Sequence, residues 1–313
     1  MPSSLRFAAI VPHYNDTAHL REALASLAAQ TVPLTEILVV DDGSTAEALE
    51  VVIRLAAPVP EVRVLIDTQH RGVVDALNRG IRESSADFIF LCSANDVYHS
   101  RMVEWSVAAL AAFPHAGLVC GNASAWDEEK HRAAEDRVLP LPQVTAWLSP
   151  DALVAHHRRV GIVFNGAAAM RRTSVLAAGG LQPDLRWQSD WFISHLLAFE
   201  SGCVYVPERF STVRFEGRKS YSGGFLDWSQ QKDVIRSIVR RLAAHPSAAP
   251  LFRRAALLPT YDLREIGILS APDLRWFITP LLCWRMLVHS CAYWLKYVVP
   301  RSVLMYFRRF VRA

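Results

Sequence analysis

Two adjacent carboxylates, Asp41 and Asp42, end the apolar run at residues 37–40 and are followed by Gly43 and Ser44. Four apolar residues in succession, two of them valines, read as a strand buried on both faces. In an open α/β sheet, ligands bind outside the carboxyl ends of the strands, so this pair stands where a ligand is expected. A carboxylate there can accept from a ring N–H, and Tyr14, at the end of an earlier apolar run, can offer that ring a stacking face. His70 and Arg71, just before Gly72, supply positive charge for a phosphate, to which a following helix N-terminus adds its dipole. Asp96 is the one charged residue in Ser93-Ala94-Asn95-Asp96. Asp190, within Trp187-Gln188-Ser189-Asp190-Trp191, can take a proton from a hydroxyl. Each residue also has a plainer use. An aspartate at a strand end can cap the next helix. Tyr14 and the two tryptophans can be core, and Asp190 can be a first-turn carboxylate favoured by the helix dipole.

These clusters need a scaffold that brings them to one edge. Apolar runs at 7–11, 37–40, 62–66 and 88–92 read as strands. Helical patterns follow them: one capped by Asn15 or Asp16 and running to about Gln30, then 46–56, where Ser44 and Glu47 have capping-box spacing, then 72–83. Repeated βα units imply an α/β fold with a mostly parallel central sheet and right-handed crossovers. The loops at the strands' carboxyl ends hold HYND, DDGS, DTQHRG and SAND. Further along, 116–121 reads as a strand, 126–137 as a charged connection, 165–170 as small and apolar, and 187–199 as a helix opened by the tryptophan cluster.

Composition bounds the rest. A chain of 313 residues that is 51% hydrophobic can bury a sizeable core and is not a disordered polymer. The cysteines, Cys92, Cys120, Cys203, Cys283 and Cys291, are odd in number and lack metal or redox spacing, and the N-terminus lacks the pattern of a signal peptide. A reduced, cytoplasmic setting is expected. No zinc pattern, Walker motif, dinucleotide fingerprint or hydrolytic triad is legible, and no nucleic-acid partner is expected. Net charge is +4, but no acidic residue follows Asp273, while Arg275, Arg285, Lys296, Arg301, Arg308, Arg309 and Arg312 do. That asymmetry predicts a basic tail meeting an anionic surface. Aromatic and apolar residues from 276 to 299 are interrupted by Arg285 and Lys296. This is too short a free stretch to span about 30 Å of bilayer and better suits a helix lying in the membrane plane.

The motifs taken together resemble glycosyltransferase family 2, with the GT-A nucleotide-sugar-binding fold. The matching stretches are IVPHYND at 10–16, Gln30-Thr31, EILVVDDGST at 36–45, a Gly72, Ala76, Asn78, Gly80 pattern, and FIFLCSAND at 88–96. A looser match runs through NGAAAMRRTSVLAAGG at 165–180, SDW at 189–191 and VRFEGRKSYS at 213–222. The Gln-x-x-Arg-Trp signature of processive members is absent from the sequence.

The resemblance implies an inverting, non-processive transfer of one sugar from a nucleotide-linked donor, expected to be UDP-linked, to a glycan or lipid-linked acceptor, as in bacterial surface polysaccharide assembly. It carries donor binding to Pro12, Tyr14, Asn15, Asp42, Arg71, Asn95 and Asp96, and the base to Asp190. Trp187 and Trp191 are expected on the acceptor side, Arg214 near phosphate with Lys219 as a weaker candidate, and Asn78 as local support. The family usually reads aspartate-x-aspartate-aspartate where this chain has Ser93 to Asp96. Asp96 keeps the position of the metal ligand, and a divalent cation (Mg²⁺ or Mn²⁺) that takes few protein ligands and several waters remains expected there. The thinner motif also admits a rival, a catalytically silent nucleotide-sugar-binding or scaffold protein. A nucleotidyltransferase on a related fold would need a Gly-rich N-terminal loop that the chain lacks. Residues 1–224 are expected to form the catalytic domain and 225–313 a helical, membrane-peripheral region.

Overall fold

The computed structural model describes residues 5–134, 136, 138–139, 141, 143–159, 164, 167–215 and 227–298, with the backbone alone at 215 and 293–298. In chain order the elements are β1 (Phe7–His13), α1 (Leu20–Ala28), β2 (Glu36–Asp42), α2 (Ala46–Ala56), β3 (Val62–Asp67), α3 (Val73–Glu83), β4 (Phe88–Leu91), β5 (Val97–Tyr98), α4 (Met102–Ala112), β6 (Leu118–Asp127) and β7 (Arg132–Ala133). They continue with β8 (Ala146–Leu148), α5 (Pro150–Arg159), β9 (Ala168–Arg171), α6 (Arg172–Ala177), a 3₁₀ turn (Pro183–Gln188), α7 (Ser189–Ser201) and β10 (Cys203–Phe215). Last come α8 (Trp228–Leu242), α9 (Ala249–Ala255), α10 (Arg264–Leu269), a second 3₁₀ turn (Arg275–Phe277) and α11 (Pro280–Val298). Two compact units result, one from residues 1–149 with 163–223, the other from 150–162 with 224–313.

The first unit is built on one mixed sheet in the order β3-β2-β1-β4-β9-β6-β10-β5, with β7 on β6 and β8 on β10. Strands β1 to β4 are parallel, which puts the ends of β1, β2, β3 and β4 on one edge. Beyond β4 the sheet is mixed, because β9 runs antiparallel to both β4 and β6. The run 37–40 is fully buried in β2, since β1 and β3 cover its edges and each face meets packed side chains. On one face Phe7, Ala9, Val11, Ile37 and Val39 join Leu20, Leu24 and Leu27 of α1. On the other, α3 lies close enough that a Cβ on Gly80 would come within 2.3 Å of Ile10 Cγ2. That contact explains why a glycine interrupts an otherwise amphipathic helix.

Local starts differ from expectation in two places. Helix α1 begins at Leu20 rather than just after Asn15, because Asn15 is left-handed at φ 54° and spends its side chain elsewhere. Helix α2 is capped by Thr45, whose hydroxyl accepts from the Ala48 N–H at 3.3 Å, and not by Ser44.

The second unit is helical. Helix α8 buries Val234, Ile235, Ile238, Val239 and Leu242, a spacing that lines one helix face, and Asp227 caps its start. Helix α5, which the sequence reading left with the catalytic region, belongs here. Arg285 of α11 donates to the carbonyls of Ala255 (2.8 Å), Ala256 (3.0 Å) and His157, and Asp151 of α5 pairs with Arg254 at 2.9 Å. Leu282 and Met286 of α11 are buried, whereas Trp284, Leu287 and Cys291 are exposed. Among the described residues no helix is long and apolar enough to cross a membrane. Of the basic tail, residues 299–313 lie outside the described residues, as do the NG of the 165–180 motif and residues 216–222 with Lys219.

Candidate active site

The carboxyl edge of β1 and β2 is a hydrogen-bonded cluster. Asp41 is buried and accepts from His13 Nδ1 at 2.8 Å and from the Ser44 N–H at 3.1 Å. A carboxylate can only accept, so Nδ1 of His13 carries the proton. The Ser44 hydroxyl accepts from the Asn15 N–H at 2.9 Å, and Asn15 Oδ1 accepts from the Thr45 N–H at 2.8 Å. Asn15 therefore laces the turn after β1 to the turn after β2, and partly buried Pro12 leads into it beside Val40. Nothing in the spacing of the sequence marked the His13–Asp41 pair; the strand register brings it together, with His13 opposite Asp41.

Asp42 holds the next loop. It is buried, and its two oxygens accept from the backbone N–H groups of Arg71 (2.8 Å) and Gly72 (2.7 Å). His70 Nδ1 lies 2.8 Å from Asp42 Oδ2, and the His70 ring stacks on Tyr14 at 3.8 Å between centroids and 21° between planes. Tyr14 is 45% exposed, so the plainer alternative, an aromatic packed in the core, does not hold. Neither Asp41 nor Asp42 caps α2, since Thr45 does. The Arg71 side chain is exposed next to the start of α3.

The Ser93–Asp96 turn is tied down by residues distant in sequence. The Ser93 N–H donates to Tyr98 Oη at 2.6 Å, and its hydroxyl donates to Asn95 Oδ1. Asp96 Oδ1 accepts from the backbone N–H of Arg214 at 2.9 Å. The Arg214 guanidinium reaches the Asn95 carbonyl (3.1 Å), Glu22 (2.6 Å) and Glu128 (2.9 Å). Arg214, expected beside phosphate, is thus already held between two carboxylates. Among the described residues no group of three or more His, Cys, Asp or Glu side chains is placed to hold a metal. Asp96 is the carboxylate at this turn, so a divalent cation would depend on oxygens from the ligand and water. Burial raises the Cys92 thiol well above its ordinary range, which leaves it a core residue and not a nucleophile.

A second clamp positions Asp190. Asn78 of α3 exchanges two hydrogen bonds with Leu181, donating to its carbonyl and accepting from its N–H, both at 2.8 Å. Gly180, at φ +74°, permits this approach, because a Cβ there would lie 2.6 Å from Asn78 Oδ1. The Gln182 N–H then donates to Ser189 Oγ at 2.6 Å, fixing the start of α7. Asp190 follows at once as an exposed residue, with Oδ1 accepting from the Trp191 N–H at 2.7 Å. Protein packed around the carboxyl group raises it above the ordinary carboxylate range, against the lowering effect of that N–H. A proton acceptor shifted toward neutrality suits general-base work. Trp191, expected to stack on a sugar, is instead buried with its ring 4.5 Å from that of His195. His195 is structural, its Nδ1 bonded to the Trp191 carbonyl at 2.7 Å. Trp187 is partly open, and its Nε1 has no partner among the described residues.

Residues 8–176 match the model of glycosyl transferase family 2. The chain belongs to that family. It is 25% identical over 240 residues to an uncharacterised glycosyltransferase of Nostoc sp., covering 73% of this chain and 70% of that one. It is 30% identical over 119 residues to glycosyltransferase GlyG of Streptococcus pneumoniae, covering 38% of this chain and 39% of that protein. The fold is like that of S. aureus TarS 1–349 crystallised with UDP-GlcNAc: TM-score 0.66 at 15% identity, over 89% of this chain and 83% of that one. As a family 2 member with a GT-A-like core, this protein is a sugar-transferring enzyme, and the Asp41–Asp42 and Ser93–Asp96 clusters lie at the carboxyl ends of its parallel strands.

Proposed function

We propose that this enzyme moves one sugar, with inversion, from a UDP-linked donor to a glycan or lipid-linked acceptor in the assembly of a bacterial surface polysaccharide. The observation that carries the reading is Asp190. It is a carboxylate that packing holds above the ordinary range, at the position the family resemblance gives the base, in a turn anchored through Asn78 to the helix that follows the His70-Arg71-Gly72 loop. Tyr14 offers the base a stacking face and Asp42 an acceptor for its ring N–H; Pro12 and Asn15 shape that subsite. Arg71 and the N-terminus of α3 face the diphosphate, and Asn95 bonds the ribose or sugar. Asp96, with the donor's own phosphate oxygens, would hold a Mg²⁺ or Mn²⁺ ion, which supplies positive charge to the leaving diphosphate when bound.

In the transfer, the acceptor hydroxyl oxygen forms a bond to the anomeric carbon from the face opposite the diphosphate. The carbon–oxygen bond to the diphosphate breaks, UDP leaves with the electron pair, and the hydroxyl proton passes to Asp190. Trp187 lines the acceptor side. The solved complex of the similarly folded TarS with UDP-GlcNAc supports the choice of a uridine nucleotide. Residues 1–224 would carry the chemistry. Residues 225–313 would keep the enzyme at the inner, cytoplasmic face of an anionic membrane, a placement favoured by the exposed Trp284 and Leu287 of α11 and the basic residues after Asp273.

One observation favours a second reading. A single carboxylate in the metal motif suits a protein that binds nucleotide sugars without turning them over. Hydrolysis of a panel of UDP-sugars, followed by mass spectrometry with and without Mg²⁺ or Mn²⁺, separates the two: slow UDP release supports the transferase, and tight binding with no release supports the silent binder.

A further inference from the structure

The His70 ring already occupies both positions that a nucleotide base would need, against the Tyr14 face and beside the Asp42 carboxylate. It is a planar N–H ring stacked on Tyr14 at 3.8 Å, with Nδ1 2.8 Å from Asp42 Oδ2 and hydrogen-bonded to the Asp42 main-chain carbonyl at 3.3 Å. A base read by a stacking face and a carboxylate acceptor would use the same face of the same tyrosine and the same oxygen. We infer that His70 is a placeholder for the base, filling the base subsite and leaving it when the nucleotide enters. The inference rests on the assignment of Tyr14 and Asp42 to base binding.

The surroundings decide what moves. Gly43 has φ +75°, and a Cβ on it would lie 2.7 Å from the Gln69 carbonyl carbon and 2.8 Å from the His70 nitrogen. The 69–70 backbone therefore rests directly on the turn after β2. The next two amides, Arg71 and Gly72, are held by Asp42. With its backbone held on both sides, His70 can yield only by rotating its side chain. That side chain is 49% exposed, so it has solvent to rotate into. After rotation Asp42 keeps the two amide bonds that fix the loop, and Oδ2 regains room for one donor from the ligand. His70 thus sets a threshold: a ligand must stack on Tyr14 and pair with Asp42 well enough to displace an imidazole ring. A uracil ring, with its N–H beside two carbonyls, meets that demand. A base without a ring N–H at that edge would leave the Asp42 oxygen unpaired.

Calorimetric titration of the full chain with UDP tests this. A stack and a hydrogen bond are each worth about a two- to tenfold factor in affinity. His70→Ala is expected to tighten UDP binding by about three- to thirtyfold, while Tyr14→Ala weakens it. In the parent, the His70 ring protons should lose the ring-current shift of Tyr14 as UDP saturates the protein, observed by NMR. If His70→Ala binds UDP equally or more weakly while Tyr14→Ala still weakens it, His70 is a wall of the subsite and the placeholder is refuted. His70 resonances unmoved by UDP would refute it too. If Tyr14→Ala leaves UDP binding unchanged, the base subsite itself is misplaced and both proposals fall.

Discussion

At the scale of single residues, the groups proposed to touch the donor differ from the groups that hold them. Asp42 and Asp96 look equivalent in sequence, each an aspartate at a strand end, but they are built differently. Asp42 is buried and bonded to two amides and to His70, whereas Asp96 accepts from one amide of β10. Asp42→Ala should weaken UDP binding whether or not a divalent ion is present, because it removes the acceptor for the base and loosens the 70–72 loop. Asp96→Ala should weaken it mainly in the presence of the ion. Calorimetry with and without Mg²⁺ checks this; equal losses in both conditions for both variants would count against the division. Roles that depend on register or distant pairing were not legible in the sequence. Arg214 was read as a phosphate ligand because nothing local revealed Glu22, 192 residues away, as its partner. Trp187 and Trp191 looked alike, and only burial separates them.

At the scale of elements, periodicity located most of the first unit, and helix α2 was found at the bounds expected. The start of α1 was misplaced because the expected cap, Asn15, serves the turn before α2 instead. The antiparallel insertion of β9 could not be read, since a strand of four residues, Ala168–Arg171, carries no mark of its direction. The polar pocket between α8 and α10 was also missed. There Gln231 donates to Thr260 at 3.1 Å, Thr260 donates to Glu265 Oε1, and Glu265 Oε2 has no partner among the described residues. Burial pushes the Glu265 carboxyl up to about 7 from an ordinary 4.5. The folded protein therefore binds this proton more tightly than the unfolded chain. Its stabilising effect is complete below about pH 4.5 and is lost as pH rises through about 7, with a span on the order of 3 kcal/mol. Thermal midpoints of the parent should fall between about pH 4.5 and 7 and level off above that. Glu265→Gln, which keeps the shape and never ionises, should flatten that fall; an unchanged pH profile would show that Glu265 is solvated in solution.

At the scale of the whole molecule, the sequence told a basic tail from an acidic body, and the structure divides the last helix more finely. Arg285, read as a charge interrupting an apolar stretch, is turned inward onto carbonyl groups, while Trp284 and Leu287 face out. Removing everything after Asp273 would therefore strip buried Leu282 and Met286 from the second unit and confuse misfolding with release. Trp284→Ser with Leu287→Ser, and separately removal of residues 299–313, are the cleaner tests. Both should lower co-sedimentation with anionic vesicles. Loss of the four arginines after residue 299 should be the more salt-sensitive effect, at roughly 1 kcal/mol per cation near the surface. Binding unchanged in both variants would place the membrane contact elsewhere.

The central claim is that a bound nucleotide sugar is attacked with Asp190 as the base, and Asp190→Asn tests it most directly. The variant keeps the size of the side chain and an oxygen to accept the Trp191 N–H, but it cannot take a proton. Transfer to acceptor, or slow donor hydrolysis in its place, should be measured against pH for both proteins together with UDP-sugar affinity. The expected result is near-parental affinity with turnover slower by at least about a hundredfold. The parental rate should also fall on the acid side at a pH above that of an ordinary aspartate, because the raised carboxyl must be ionised to work. Parental turnover by Asp190→Asn would contradict the claim and leave Asp190 a helix-start carboxylate with the base elsewhere.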